Sequence, residues 1–278
     1  MHNVYHLGIL PDYHFKFLVA DIKGVVSEIT RRLGLEHSSL LLVSKAMLGA
    51  FFIAGMVKEE MTVSLQLEGE GKIERILTYS DRKGHIRGYA KNTSIEAKPN
   101  DITSGIGKGI LKVTRWNSEK RIHQSMTEMQ QASFEANLMK YIDESEQLLT
   151  FLSMGIGKNF ASGVIFQALG DTPDDLKDKM LNKLSEMNFY PQELFQNGIE
   201  NAMTELEKAL GSKLEILETG VPVFQCSCSL EKIKNVISTL GKQEAFSILE
   251  EQGKIEMTCE FCREQYALDP EEVHLLFM

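Results

Sequence analysis

Several kinds of residue are scarce in this 278-residue chain, and each scarcity closes off a class of protein. Cysteine occurs four times, too few for a small secreted scaffold framed by disulfides. Six prolines and 21 glycines stand against 43% hydrophobic and 25% charged residues, a balance that excludes collagenous, low-complexity and disordered chains. Basic residues are in the minority, 30 Lys and Arg against 39 Asp and Glu, which leaves a net charge of −9. A protein that binds duplexes by neutralising phosphates carries a basic face, so nucleic acid is not an expected partner. Residues 1–10 have His and Asn where a signal peptide would have basic residues and an apolar run. The expected compartment is therefore the reducing cytoplasm, where thiols stay free or bind metal.

Long apolar runs are also rare. The exception is residues 40–57 (LLLVSKAMLGAFFIAGMV), close to the length of a membrane span. Ser44 and Lys45 interrupt it, and a central Lys costs roughly 2.5–3.5 kcal/mol on insertion scales. The expectation is a buried core helix capped by Ser38 or Ser39, with no membrane as partner.

Residues 15–170 mix strand-like and helical segments. Strands are expected over 15–21, 61–67, 73–79, 85–90, 110–116, 121–126 and 164–169, and helices over 25–33 and 134–146. Turn signals at 69–71, 81–84 and 117–118 separate them. Clustered strands without regular strand–helix alternation predict an α+β core domain over residues 1–171. A glycine-rich stretch, 105–109, resembles a phosphate loop only superficially. A strand follows it where phosphate binding needs a helix N-terminus, so it reads as a β-turn.

At Thr172-Pro173-Asp174-Asp175 the character changes. Thr as N-cap with Pro in the first turn predicts a helix start. Leu176, Met180, Leu184 and Met187 then fall on one helical stripe. A second helix over 191–210 aligns Phe195, Ile199, Met203, Leu206 and Leu210. Eleven acidic residues and five Lys between 171 and 220 give these helices one oily and one acidic face. They read as an amphipathic helical linker, 172–220.

Residues 221–278 form a third section, too small for an independent core without a staple. All four cysteines lie in it, as Cys226-Ser227-Cys228 and Cys259-Glu260-Phe261-Cys262. Two close pairs from opposite ends of a small domain offer zinc four sulfurs at tetrahedral corners. Between them, Ser229 is placed to cap a helix ended by Gly241, a shorter helix passes through Phe246 and Leu249, and a strand over 255–258 delivers the second pair. An extended Cys-x-Cys pair sits at the outer limit for a disulfide and would form a labile one. Four cysteines allow three connectivities. Bonds within the close pairs would consume the ligands and add little order, whereas cross-pairing would retain order.

The segments 224–229 (FQCSCS) and 253–262 (GKIEMTCEFC) closely resemble the C-terminal signature of the heat-shock protein 33 family. Ser145-Glu146-Gln147, Ala161-Ser162-Gly163 with Gln167, and the strand–loop–strand around Gly69 and Gly71 extend the resemblance over nearly the whole chain. Departures are Ser162 for Gly, no Pro before Gly170, and Lys232 for Arg. The resemblance implies a non-enzymatic, ATP-independent holdase for unfolded or partly folded clients. Its reduced form holds one zinc on Cys226, Cys228, Cys259 and Cys262. Oxidation forms Cys226–Cys228 and Cys259–Cys262, releases the metal, frees the linker, and gives an active homodimer. Linker residues Met180, Met187 and Met203 are candidate client contacts. Two other readings are a thiol oxidoreductase using Cys259 and Cys262, and a zinc-ribbon module for nucleic acid. The first lacks a strand–Cys-x-x-Cys–helix setting. Against the second, the module carries ten acidic residues and five basic.

Overall fold

The computed structural model describes residues 3–57, 60–96, 105–117, 121–130, 133–157, 159–187 and 190–278. The chain forms two compact units, Met1–Gln225 and Cys226–Met278. The fold is α+β.

The first unit is organised by two antiparallel sheets. One has the order β11-β1-β2-β10-β9, from β1 (Val4–Leu10), β2 (Phe15–Asp21), β9 (Thr150–Ile156), β10 (Ala161–Ala168) and β11 (Glu215–Gly220). The other has the order β12-β5-β4-β3-β7-β8, from β3 (Thr62–Gly69), β4 (Arg75–Asp81), β5 (His85–Ala90), β7 (Gly109–Trp116), β8 (Arg121–Glu128) and the parallel β12 (Val223–Phe224). A short β6 (Ser94–Ile95) makes single bridges to Glu36 and His37.

Helix α1 (Lys23–Leu33) precedes α2 (His37–Met56), which is the apolar segment. It packs on strands of both sheets and is buried on all sides, as a helix without a polar face must be. Lys45 is tolerated there because its Nζ lies 2.7 Å from Glu135, at the start of α3 (Phe134–Glu146). The expected serine cap is not formed. The helix starts at His37, so Glu36 occupies the cap position and Ser38 and Ser39 fall inside the first turn, where the Ser39 hydroxyl donates to the Asn92 carbonyl (2.9 Å).

The five-stranded sheet is apolar on both faces, following the two-residue period of a strand. Leu18 and Ala20 of β2 face the core around α2. Phe15, Phe17 and Val19, with Val164 and Phe166 of β10, face a second core. The helices read as a linker cover this second face: α4 (Asp174–Glu186), α5 (Pro191–Phe195) and α6 (Ile199–Leu210). Two local expectations change here. Pro173 is the cap residue, because the helix starts one residue later than expected, at Asp174, and the Thr172 hydroxyl donates to the His14 carbonyl (2.7 Å). The single helix over 191–210 is two helices, because Gly198 takes φ 91°, a conformation only glycine adopts readily.

The loop 105–109 meets the 69–71 loop backbone to backbone. A Cβ on Gly69 or Gly71 would sit 2.3 Å from a carbonyl oxygen of Ile106 or Gly105, so these glycines serve close approach. The strand after the loop, β7, begins at Gly109. Of the turn expected at 117–118, Ser118 lies outside the described residues.

The second unit is small. It comprises α7 (Leu230–Leu240), α8 (Lys242–Gln252), the hairpin β13 (Ile255–Thr258) and β14 (Gln265–Leu268), and α9 (Pro270–Leu276). Ser229 caps α7 by accepting from the Lys232 N–H, and Asp269 with Glu272 forms a capping box on α9. The helix through Phe246 is as long as α7, not shorter. The buried core is Ile233, Ile237, Ala245, Ile255, Leu268 and Val273.

Candidate metal centre

The two cysteine pairs reach one point by different local routes. Cys226 and Cys228 lie in irregular backbone just before the α7 cap, where Lys232 Nζ donates to the Ser227 carbonyl (2.6 Å). An Arg there would present a fork; this lysine gives the intervening carbonyl a point donor. Cys259 and Cys262 sit in the loop of the β13–β14 hairpin. The Cys259 N–H donates to the Glu264 carbonyl (2.9 Å), and the Arg263 N–H donates back to the Cys259 carbonyl (2.8 Å). Arg263, just after Cys262, takes φ 61° where the chain turns back toward β14.

All four Sγ atoms lie within 4.8 Å of one another. Two approaches cross between the pairs, Cys226 to Cys259 at 3.7 Å and Cys228 to Cys262 at 3.3 Å. A tetrahedral zinc site with bonds of about 2.3 Å puts its sulfurs about 3.8 Å apart, and the separations here, from 3.3 Å up to 4.8 Å at most, bracket that spacing. A disulfide needs about 2.05 Å, and none of the four cysteines is in a disulfide. Among the described residues this is the one group of three or more His, Cys, Asp or Glu side chains so placed.

The electrostatics explain why such a cluster needs a cation. Burial pushes the Cys262 and Cys226 thiols up, offset in part by the Glu264 and Cys228 backbone N–H groups. Burial acts to raise Cys228 as well, but the Tyr266 hydroxyl, 3.1 Å from its sulfur, and the neighbouring thiols hold it below the ordinary thiol value. Four sulfurs at this spacing cannot all ionise unaided. A divalent ion makes four thiolates compatible, and the donor set fits zinc.

The sequence brings the four cysteines together as expected. It gave no reason to single out Tyr266, although an aromatic hydroxyl in a strand four residues after the last cysteine is within reach of the site. Cys259-Glu260-Phe261-Cys262 lies between two strands, not at the helix N-terminus that activates a redox-enzyme thiolate. The candidate client residues lie elsewhere. Met180 and Met203 are buried, and Met187 is half-buried, in the core between the five-stranded sheet and its covering helices.

Comparison with known proteins agrees over the whole length. The family model described as Hsp33 protein matches residues 4–269. The 33 kDa chaperonin of Thermotoga petrophila is 27% identical over 98% of this chain and 96% of its own. That of Bacillus pumilus is 30% identical over 92% of each. The crystal structure of the 33 kDa chaperonin from Thermotoga maritima superposes with a TM-score of 0.87 at 26% identity, covering 99% of this chain and 97% of that one. With a family match that runs from the first strand through the cysteine hairpin, this chain belongs to the Hsp33 protein family.

Proposed function

We propose that this chain is a redox-regulated, ATP-independent holdase chaperone of the cytoplasm, inactive while reduced and zinc-bound. The observation that carries the reading is the cluster of four thiols in a unit with only six buried apolar side chains. A core that small is marginal alone, whereas structural zinc supplies about 10–16 kcal/mol of apparent binding energy. The 33 kDa chaperonin name shared by the relatives supports the chaperone assignment.

Zinc, when bound, supplies the charge that keeps four thiolates together. The residues do the rest. Cys226 with Cys228, and Cys259 with Cys262, each give up two electrons to an oxidant such as hydrogen peroxide and form one S–S bond. With two protons the peroxide leaves as two waters. The sulfurs are then no longer ligands, and bonds closing such short loops restore little order. The second unit unfolds, the helices over 172–220 loosen as a linker, and apolar surface including Met180, Met187 and Met203 becomes available. The open form pairs as a homodimer and holds unfolding clients without turnover.

The test follows zinc release and suppression of client aggregation in one oxidised sample, with peptide mapping of the disulfides. The reading expects the two signals to rise together and the close pairs to be bonded. Full suppression before any zinc leaves would refute the switch, and steady dithiol–disulfide turnover would favour an oxidoreductase.

A further inference from the structure

Residues 215–225, which lead directly into Cys226, close the edges of two sheets at once. β11 is the outer strand beside β1, antiparallel, and β12 is the outer strand beside β5, parallel. The Val223 N–H donates to the Gly84 carbonyl (2.8 Å) and the Gln225 N–H to the Ile86 carbonyl (3.1 Å). Asn3 Nδ2 donates to the Pro222 carbonyl (2.7 Å), and the Arg32 guanidinium lies 5.0 Å from the Phe224 ring centre. Glu218 accepts from the Tyr5 hydroxyl (2.7 Å) and pairs with Arg82 (3.0 Å).

Apart from Phe224, which packs partly buried against the core, apolar burial contributes little to this strap. Leu217 is 69% exposed, Val221 61%, Ile216 46% and Val223 39%. A segment held by backbone bonds and polar contacts, with its oily side chains in water, belongs to the least stable part of a fold. Its removal leaves two bare rows of N–H and C=O groups on β1 and β5. Such edges are templates for any extended chain.

We infer that the strap is an internal stand-in for the client: once it is released, β1 and β5 take up extended apolar segments of unfolding polypeptides by strand addition. This rests on the redox-switch reading above and names the client surface for it. The strap itself shows what the edges accept. Most of the recognition is backbone to backbone, which every polypeptide offers whatever its sequence. The side-chain demand is modest, an aromatic ring beneath Arg32 and an aliphatic residue at the Val223 place. The occupant is thus an extended, largely apolar segment of a non-native protein, with room for a carboxylate at the Glu218 place beside Tyr5 and Arg82.

The experiment uses the full-length protein, reduced with zinc and oxidised without it, and a labelled peptide of residues 215–225 (EILETGVPVFQ). A second peptide carries N-methyl groups at the Val223 and Gln225 amides and at alternate amides of 215–220, which blocks pairing to β5 and β1 while keeping the side chains. The expected result is binding by the oxidised protein alone, at least tenfold weaker for the methylated peptide. Val4–Leu10 and His85–Ala90 should gain amide protection, and an aggregating client should compete. The inference is overturned if an oxidised sample that suppresses aggregation ignores the peptide, or keeps its own strap amides protected. It is equally overturned if those edges become protected without peptide as protein concentration rises, since a second copy is then the occupant. An oxidised sample that fails to suppress aggregation removes the functional reading itself, and this inference with it.

Discussion

Lys45 gives a quantitative test of how the apolar helix α2 is accommodated. Its side chain is 6% exposed and that of Glu135 17%, with the charges 2.7 Å apart. Replacing Lys45 with Met keeps the volume but strands the Glu135 carboxylate in a nearly dry site. Breaking a buried pair from one side costs about 3–5 kcal/mol, whereas replacing both partners with apolar residues is often neutral or stabilising. The prediction is that Lys45→Met loses about 3–5 kcal/mol and that Lys45→Met with Glu135→Leu recovers most of it. The chain's one tryptophan, Trp116, lies on β7, so its fluorescence during urea unfolding reports on the first unit. With a slope of about 3 kcal/mol/M, the single variant shifts the midpoint by about 1 M or more. The cycle with Glu135→Leu alone isolates the coupling. A single variant as stable as the parent, or a double variant as weak as the single, would refute the argument that pairing permits the lysine.

Three further outcomes follow from the same reasoning. Tyr266→Phe removes the hydroxyl that donates to Cys228, and loss of such an outer-shell partner lowers metal affinity about 10–100-fold; competition with a chromophoric chelator reads this, and unchanged affinity would contradict it. Gly8→Ala places a Cβ 2.0 Å from the Glu215 carbonyl, so β11 must lift, and amide exchange over Glu215–Gly220 should speed up while α2 stays protected. The hydrogen bond from Tyr5 and the Arg82 pair hold the Glu218 carboxyl below its usual range. A depressed carboxyl contributes stability that is present above its unfolded value, about 4.3, and lost as pH falls through the folded value. Strap protection, corrected for intrinsic exchange, should therefore weaken on acidification below that range. The effect should stay within about 1 kcal/mol because the pair is partly exposed, and it should vanish in Glu218→Gln.

What could be read from the sequence was whatever the local pattern determines. The helix over Phe134–Glu146 and the hairpin approach to Cys259 carry their own periodicity and stop signals, and they form where expected. The four cysteines converge because two short spacings and a capped helix between them leave few other arrangements. The strands β1, β9 and β11 were not legible. β11 is acidic and mostly exposed, and it is a strand because β1, more than 200 residues away, supplies its hydrogen bonds. β1 and β9 each contain a glycine, which weakens any local strand signal. The caps shift because the helices start elsewhere, with Glu36 and Pro173 in the cap positions, and boundaries are the part of a helix that periodicity defines least. For β11 the deciding partner is tertiary and invisible to propensity.

The central claim is that a metal on four sulfurs keeps the second unit folded. Amide exchange of the reduced protein, measured before and after zinc is withdrawn by a strong chelator, tests it most directly. The account predicts one zinc per chain at the outset, then loss of protection across Cys226–Met278 on its removal while the core around α2 stays protected. A reduced protein that arrives without metal and still protects Ile255–Thr258 and Gln265–Leu268 would contradict it.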